Sequence, residues 1–498
     1  MTLHRILIAN RGEIAIRIIR ACRELGLESI AVYSDADVSA PHVAAADRAV
    51  RIGPAAPALS YLSIPAIIDA ARQTESDAIH PGYGFLSERA SFASACEAAG
   101  IVFVGPAADT IDRMGSKVAA RELMQSAGVP VVPGATPLDQ STRGVLAAVE
   151  SIGFPALVKA SAGGGGKGMR TLSGADGAAD LVDAARREAE AAFGDGTLYV
   201  ERLIERPRHV EIQIFGDTQG NAVHLFEREC SIQRRHQKVV EESPSPALTP
   251  ALRARMGEAA VAAARAAGYC NAGTVEFLLE GKGDQARFYF LEMNTRLQVE
   301  HPVTEAVTGV DLVRAQIAVA AGERLPWSQS DLHQRGHAIE CRVYAEDPSA
   351  GFLPQAGRLL LYREPTGPGI RVDAGVVEGG EISVTYDPLL AKLTAFAETR
   401  EAAIDRAIAA LRCYPILGIR TNVPFLIHVL DHSAFRSGEL HTGFIDDHLQ
   451  DLVSLPAPPA CAVAAAASAT SVPSRAAVAS SSSPVNTDPW AELSRWGR

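Results

Sequence analysis

No stretch of the 498-residue chain is apolar over the length a bilayer span needs, and no basic-then-apolar leader precedes a cleavage site at the N-terminus. A soluble cytoplasmic protein with no membrane partner is the expectation. Cysteine is sparse: seven residues, odd in number, with no Cys-x-x-Cys pair. That argues against a disulfide framework or a zinc site and fits a reducing compartment. Positive charge is in deficit, 47 Lys and Arg against 58 Asp and Glu, so nucleic acid is not an expected partner. Two phosphate-loop signatures are also missing. The turn after Ile6–Ala9 holds one glycine, Gly12, so the G-x-G-x-x-G of nicotinamide and flavin enzymes is absent. A later glycine run is not a Walker A loop, because Gly168 stands where a metal-binding Ser or Thr belongs.

What remains is an ordinary globular composition, 47% hydrophobic and 21% charged, with length for about three domains. Ile6–Ala9, Ser29–Tyr33, Ala78–Ile79 and Ile101–Val104 read as short buried strands with helical stretches between them; the first helix runs to Leu25 and is closed by Gly26. Such β-α alternation predicts a parallel, doubly wound sheet. Further helices are predicted over Lys117–Gly128, Leu252–Ala267 and Glu401–Arg412. From Pro456 to Asn486 the chain is rich in Pro, Ala and Ser and reads as a disordered linker.

The densest chemistry lies at Glu292–Pro302. Strand Phe288–Leu291 leads into it, and Thr274–Leu279 precedes it across a Gly281–Asp284 hairpin loop. Folding that hairpin sets Glu276 beside Glu292, with Asn294 on the same face by the two-residue strand period. Two carboxylates and an amide oxygen suit Mg²⁺, which takes its remaining ligands from water and phosphates. Arg296, Gln298 and Glu300 add a cation, a neutral donor and a base. A second landmark is strand Ala156–Lys159 followed by Gly163–Gly166 and Lys167, where backbone amides can approach an anion and a lysine at each end neutralises it. His209, Glu211 and Gln213 alternate along a strand, and Cys230–Lys238 is a dense basic segment, either a solvated loop or, in an acidic protein, the local cluster of positive groups that an anionic nucleotide and a small oxyanion require.

Taken in order, Asn10–Glu13, His80–Phe85, the glycine run, Gln233–Lys238, Glu292–Pro302 and Glu340–Arg342 resemble the motifs of biotin carboxylases, a branch of the ATP-grasp superfamily. The resemblance covers about Ile6 to Leu449. It implies an α/β and α+β multidomain fold: a doubly wound α/β domain (1–115), an ATP-grasp domain (116–334) with a mobile lid at about 131–203, and a mixed α+β C-terminal domain (335–449), with 456–498 as tail. It implies that Lys117, Lys159, Gly165, Gly166, Glu201, Arg202, Leu203, Ile204, His209, Gln233, His236, Glu276 and Glu292 bind ATP. Glu276, Glu292 and Asn294 would hold Mg²⁺ or Mn²⁺. Lys238, Arg296, Gln298 and Val299 would bind bicarbonate, and Arg342 and Tyr83 would face biotin. Arg296, Glu300, Arg342 and Lys238 would be catalytic, with Glu300 as the base.

The implied reaction has bicarbonate attack the γ-phosphate of ATP to give carboxyphosphate, whose CO₂ passes to biotin. Two departures appear: Ala162 and Arg202 stand where some relatives have Gly and Lys. None of the six methionines is followed by lysine, so the carrier's Met-Lys-Met is absent. The biotin carboxyl carrier would then be another protein or a further domain, with a carboxyltransferase as second partner and a homodimer as the expected assembly. The competing readings are another ATP-grasp ligase that forms an acyl or carbamoyl phosphate, and a non-catalytic regulatory subunit.

Overall fold

The computed structural model describes residues 2–161, 168–454 and 460–461. Gly165 and Gly166 of the expected phosphate loop lie outside these residues, as does nearly all of the 456–498 tail.

The N-terminal part is built on five parallel strands, in the order Arg48–Gly53, Glu28–Ser34, Arg5–Ile8, Ala78–His80 and Val102–Phe103. Alternation along the first strand dictates the layers. Ile6 and Ile8 pack with Ile14, Ile18 and Ile19 of helix Gly12–Glu24, whereas Leu7 joins Ile67, Ile68 and Phe92 on the opposite face. The doubly wound sheet is therefore as expected, with one additional strand, Arg48–Gly53.

An eight-stranded antiparallel sheet forms the centre. Its order is Arg287–Asn294, Asn271–Glu280, Arg208–Gly216, Ala222–Arg234, Gln237–Ser243, His337–Tyr344, Leu389–Ala397 and Ile370–Ala374. Val210, Ile212, Ile214, Val275, Phe277 and Met293 pack with Leu252, Met256, Ala260 and Ala263 of helix Pro250–Ala266. The alternate positions, His209, Glu211, Gln213, Thr274 and Glu276, are therefore carried to the other face. The two-residue period of Arg208–Gly216 and Asn271–Glu280 thus makes one face a core and the other a polar floor. The sheet is continuous from the central to the C-terminal strands, because Gln237–Ser243 pairs with His337–Tyr344.

A smaller four-stranded antiparallel sheet, in the order Gly134–Ala135, Leu198–Arg202, Ala156–Ala160 and Arg170–Leu172, has its own core. Val145, Val149, Val182, Ala185 and Val200 fill it, from helices Thr142–Ile152 and Ala178–Phe193 and the Leu198–Arg202 strand.

Candidate active site

The predicted hairpin forms, with Glu276 directly opposite Glu292 and Thr274 opposite Asn294. On its other edge Glu276 pairs with Glu211. Glu276 accepts from Lys238 at 2.8 Å, Asn294 at 2.8 Å and Gln298 at 3.1 Å on Oε1, and its Oε2 lies 3.0 Å from His209 Nε2. Burial opposes its charge, yet Lys238 and then His209 hold the carboxyl far below the usual range. Glu292 goes the other way, raised by burial and then by the charge of Glu276. Two facing carboxylates and the Asn294 amide are hard oxygen donors, and their mutual repulsion is what a divalent cation relieves, so the residues fit Mg²⁺.

Lys238 is the hub. Its ammonium also contacts Glu300 at 2.6 Å and the buried Glu211. Burial alone would lower its pKa, but the three carboxylates raise it well above the ordinary lysine value. Glu300, fully buried, is gripped from its second oxygen by Arg342 at 3.0 Å. Burial again opposes ionisation, and Lys238, Arg342 and Arg228 together hold Glu300 well below the usual carboxylate range. It is therefore proton-free, and equally a weak base while those cations stay on it. Arg296 donates to Glu88 (2.9 Å), Gln298 (3.3 Å) and Asn294 (3.2 Å).

The residues expected to bind the nucleotide form a second group. Lys159 pairs with Glu201 at 2.6 Å, and Arg121 reaches the other oxygen of Glu201 at 3.0 Å. Lys117 opens helix Lys117–Ser126, and its pKa is lowered by burial. Arg202 turns its guanidinium to Glu280 (2.9 Å) and Tyr289 (3.1 Å), and the Leu203 amide donates to Pro155 at 3.0 Å, followed by buried Ile204.

Of the two readings of Cys230–Lys238, the structure removes the solvated loop. Ala222–Arg234 and Gln237–Ser243 are paired strands, Gln233 faces Lys238 across the ladder, and both are buried. Only Arg235 and His236 form the turn, both with positive φ (50° and 66°) and both exposed. His236 thus stands at the hairpin tip, apart from the Lys238 cluster.

Around Tyr83, one of the two residues expected to face biotin, the His80–Phe85 motif is a turn shaped by Asn10. Asn10 Nδ2 donates to the carbonyls of Pro81 (2.8 Å) and Tyr83 (2.7 Å). Gly82 has φ +63°, and a Cβ there would lie 2.9 Å from that nitrogen, so glycine is required. The turn directs the Tyr83 hydroxyl to Glu13. Arg342 donates to Glu241 at 2.6 Å. Burial, opposed by Arg342 and reinforced by Glu300, pushes Glu241 up to about 7.

Several partners escaped the sequence reading. Arg228, fully buried, binds Glu211, Gln213 (2.7 Å), Thr274 (3.0 Å) and Thr304 (2.9 Å) beneath Lys238. Its strand position opposite Glu211 was a usable signal. Glu88, Glu241 and Arg121 carry no motif of their own.

Three family models match the chain: "Biotin carboxylase, N-terminal domain" over residues 2–111, "Carbamoyl-phosphate synthase L chain, ATP binding domain" over 116–328, and "Biotin carboxylase C-terminal domain" over 340–447. A pyruvate carboxylase component of Methanothermobacter thermautotrophicus is 52% identical over 89% of this chain and 90% of its own length. Biotin carboxylase 1 of Bacillus subtilis is 50% identical over 89% and 98% respectively. Against the longer α-subunit of mitochondrial methylcrotonoyl-CoA carboxylase from Rattus norvegicus, 50% identical over 90% of this chain, the match spans 62% of the relative. Among solved structures, the biotin carboxylase domain dimer of the Hydrogenobacter thermophilus 2-oxoglutarate carboxylase, in complex with MgADP, ADP and bicarbonate, superposes with a TM-score of 0.87. It is 45% identical, and the match covers 92% of this chain and all of that one. A three-part fold, a polar floor of paired carboxylates and cations, and this extent of identity lead to one conclusion: the chain belongs to the biotin carboxylase family, ATP-dependent ligases that carboxylate biotin with bicarbonate.

Proposed function

We propose that the chain carries out the first half-reaction of a biotin-dependent carboxylase on biotin presented by a separate carrier protein or domain, with its residues divided as follows. Glu276, Glu292 and Asn294 hold Mg²⁺, which, when bound, neutralises and orients the phosphates of ATP. Lys117, Lys159 and His209 supply positive charge to the phosphates, and the Glu201–Ile204 segment borders the base. The four-stranded layer acts as the lid. Lys238, Arg296, Gln298 and the Val299 backbone bind bicarbonate, and Arg342 and Tyr83 receive biotin.

The observation that carries this reading is that one ammonium, Lys238, touches both Glu276 on the metal side and Glu300 on the base side. Bicarbonate entering here takes Lys238 for its own negative charge. Glu300 is then relieved of one of the cations that depress it, and its affinity for the bicarbonate proton rises as that proton must leave. Arg342, already on the second oxygen of Glu300, stays to stabilise charge as the carboxyl group passes to biotin. No nucleophilic side chain is needed, because preorganised charge carries phosphoryl transfer. The site lies in the cytoplasm, and the carboxyltransferase that uses carboxybiotin is a second partner.

The test is steady-state ATP hydrolysis by the purified chain. Turnover should require bicarbonate and should rise when free biotin is added. Hydrolysis indifferent to bicarbonate would defeat the reading, and nucleotide binding without turnover would favour a regulatory role.

A further inference from the structure

The C-terminal strand Leu389–Ala397 carries a lysine, Lys392, with no solvent exposure. It sits directly across the ladder from Arg342, so the two cations share a face of the sheet. Arg342 reaches the side chain of Glu300, and Lys392 Nζ donates to the carbonyl of Val299 at 2.8 Å. Two neighbouring cations thus grip two consecutive residues at the start of helix His301–Thr308. The same ammonium lies 3.1 Å from Glu13 Oε1, the atom that also accepts the Tyr83 hydroxyl, and 6.0 Å from the centre of the Tyr83 ring. Burying an ammonium completely is costly, and an apolar side chain of equal length fills the same space without that cost. The charge is therefore held for what it binds. Burial lowers its pKa, but Glu13, Glu340 and Asp373 outweigh burial and keep it protonated.

We propose that Lys392 is a positioning residue for biotin carboxylation. It fixes the Val299–Glu300 peptide that borders the bicarbonate site and, through Glu13, sets the Tyr83 hydroxyl on the biotin side. Spacing between the two substrates then depends on one buried cation. This rests on the assignment of bicarbonate to Lys238, Arg296, Gln298 and Val299.

The experiment compares Lys392→Met with the double variant Lys392→Met/Glu13→Gln, which strands no charge at the Lys392–Glu13 pair and keeps an acceptor for Tyr83. KM values for bicarbonate, ATP and free biotin are read from bicarbonate-dependent ATP hydrolysis by the full chain. Both variants should raise the bicarbonate KM about tenfold, the effect of losing one charged hydrogen bond, with the ATP KM within about twofold of wild type. The biotin KM should rise in the single variant and recover in the double. A bicarbonate KM unchanged in the folded double variant would overturn the proposal, as would ATP and bicarbonate KM values rising together. Failure of the functional reading is distinguishable, because the wild-type chain itself would then show no bicarbonate dependence.

Discussion

Replacing Lys238 by methionine removes the one ammonium shared by Glu211, Glu276 and Glu300 while keeping an unbranched side chain. None of the three is stranded completely: Glu211 keeps Arg228, Glu276 keeps His209, Asn294 and Gln298, and Glu300 keeps Arg342. The cost therefore falls at the lower end for breaking a buried ion pair, about 3 kcal/mol at neutral pH. Its pH dependence has a definite sign. The carboxyls of Glu276 and Glu300 lie below their unfolded values, so the stability they contribute is present above about pH 4.3 and is lost as pH falls through the folded values. The gap between wild type and Lys238→Met in urea unfolding should therefore be widest at neutral pH and narrow as pH falls below about 4.3. In the same variant, bicarbonate-dependent ATP hydrolysis should fall by about 10²–10³, the loss of one transition-state donor. A stability gap independent of pH would mean that Lys238 acts by packing, and turnover within a few-fold of wild type would refute its place at the bicarbonate.

Three further outcomes are expected. Arg342→Ala should reduce biotin carboxylation by about 10²–10³ with nucleotide affinity little changed, measured by biotin-stimulated hydrolysis and nucleotide titration; equal losses would make Arg342 structural. Glu241, with its pKa raised to about 7, contributes stability that is complete below about pH 4.3 and lost as pH rises through 7, so Glu241→Gln should flatten the decline of urea midpoints between pH 5 and 8. Parallel wild-type and variant curves would contradict that shift. Gly82→Ala places a methyl group against Asn10 at positive φ and should cost about 1–2 kcal/mol while raising the biotin KM through Tyr83; a neutral effect on both would show that the turn yields freely.

The Glu276/Glu292 hairpin was legible because two short apolar runs, Phe277–Leu279 and Phe288–Leu291, flank a glycine-containing loop and each adjoins a glutamate on the same side. The parallel sheet was legible from its short apolar runs. Arg48–Gly53 was not, because it is an edge strand whose arginines face solvent and conceal the period. Of the two readings open for Cys230–Lys238, the solvated loop fails for a related reason. The segment's charges suggested a solvated loop, whereas Gln233 and Lys238 turn inward, and the tight turn at Arg235 and His236 lacks the glycine or asparagine that marks such turns. Lys392 sits in an otherwise apolar strand and carries no local sign that its charge is buried. Its partners, Glu13 and Val299, lie hundreds and tens of residues away, and only the fold brings them together.

The central claim is that one divalent cation joins the Glu276/Glu292 pair to the phosphates of ATP. Anomalous diffraction from crystals of the chain grown with Mn²⁺ and a non-hydrolysable ATP analogue tests it directly. A manganese peak is expected within coordination distance of both carboxylates and of the analogue's phosphates. A peak that leaves either glutamate outside the metal's shell, with the nucleotide bound elsewhere, would contradict that claim.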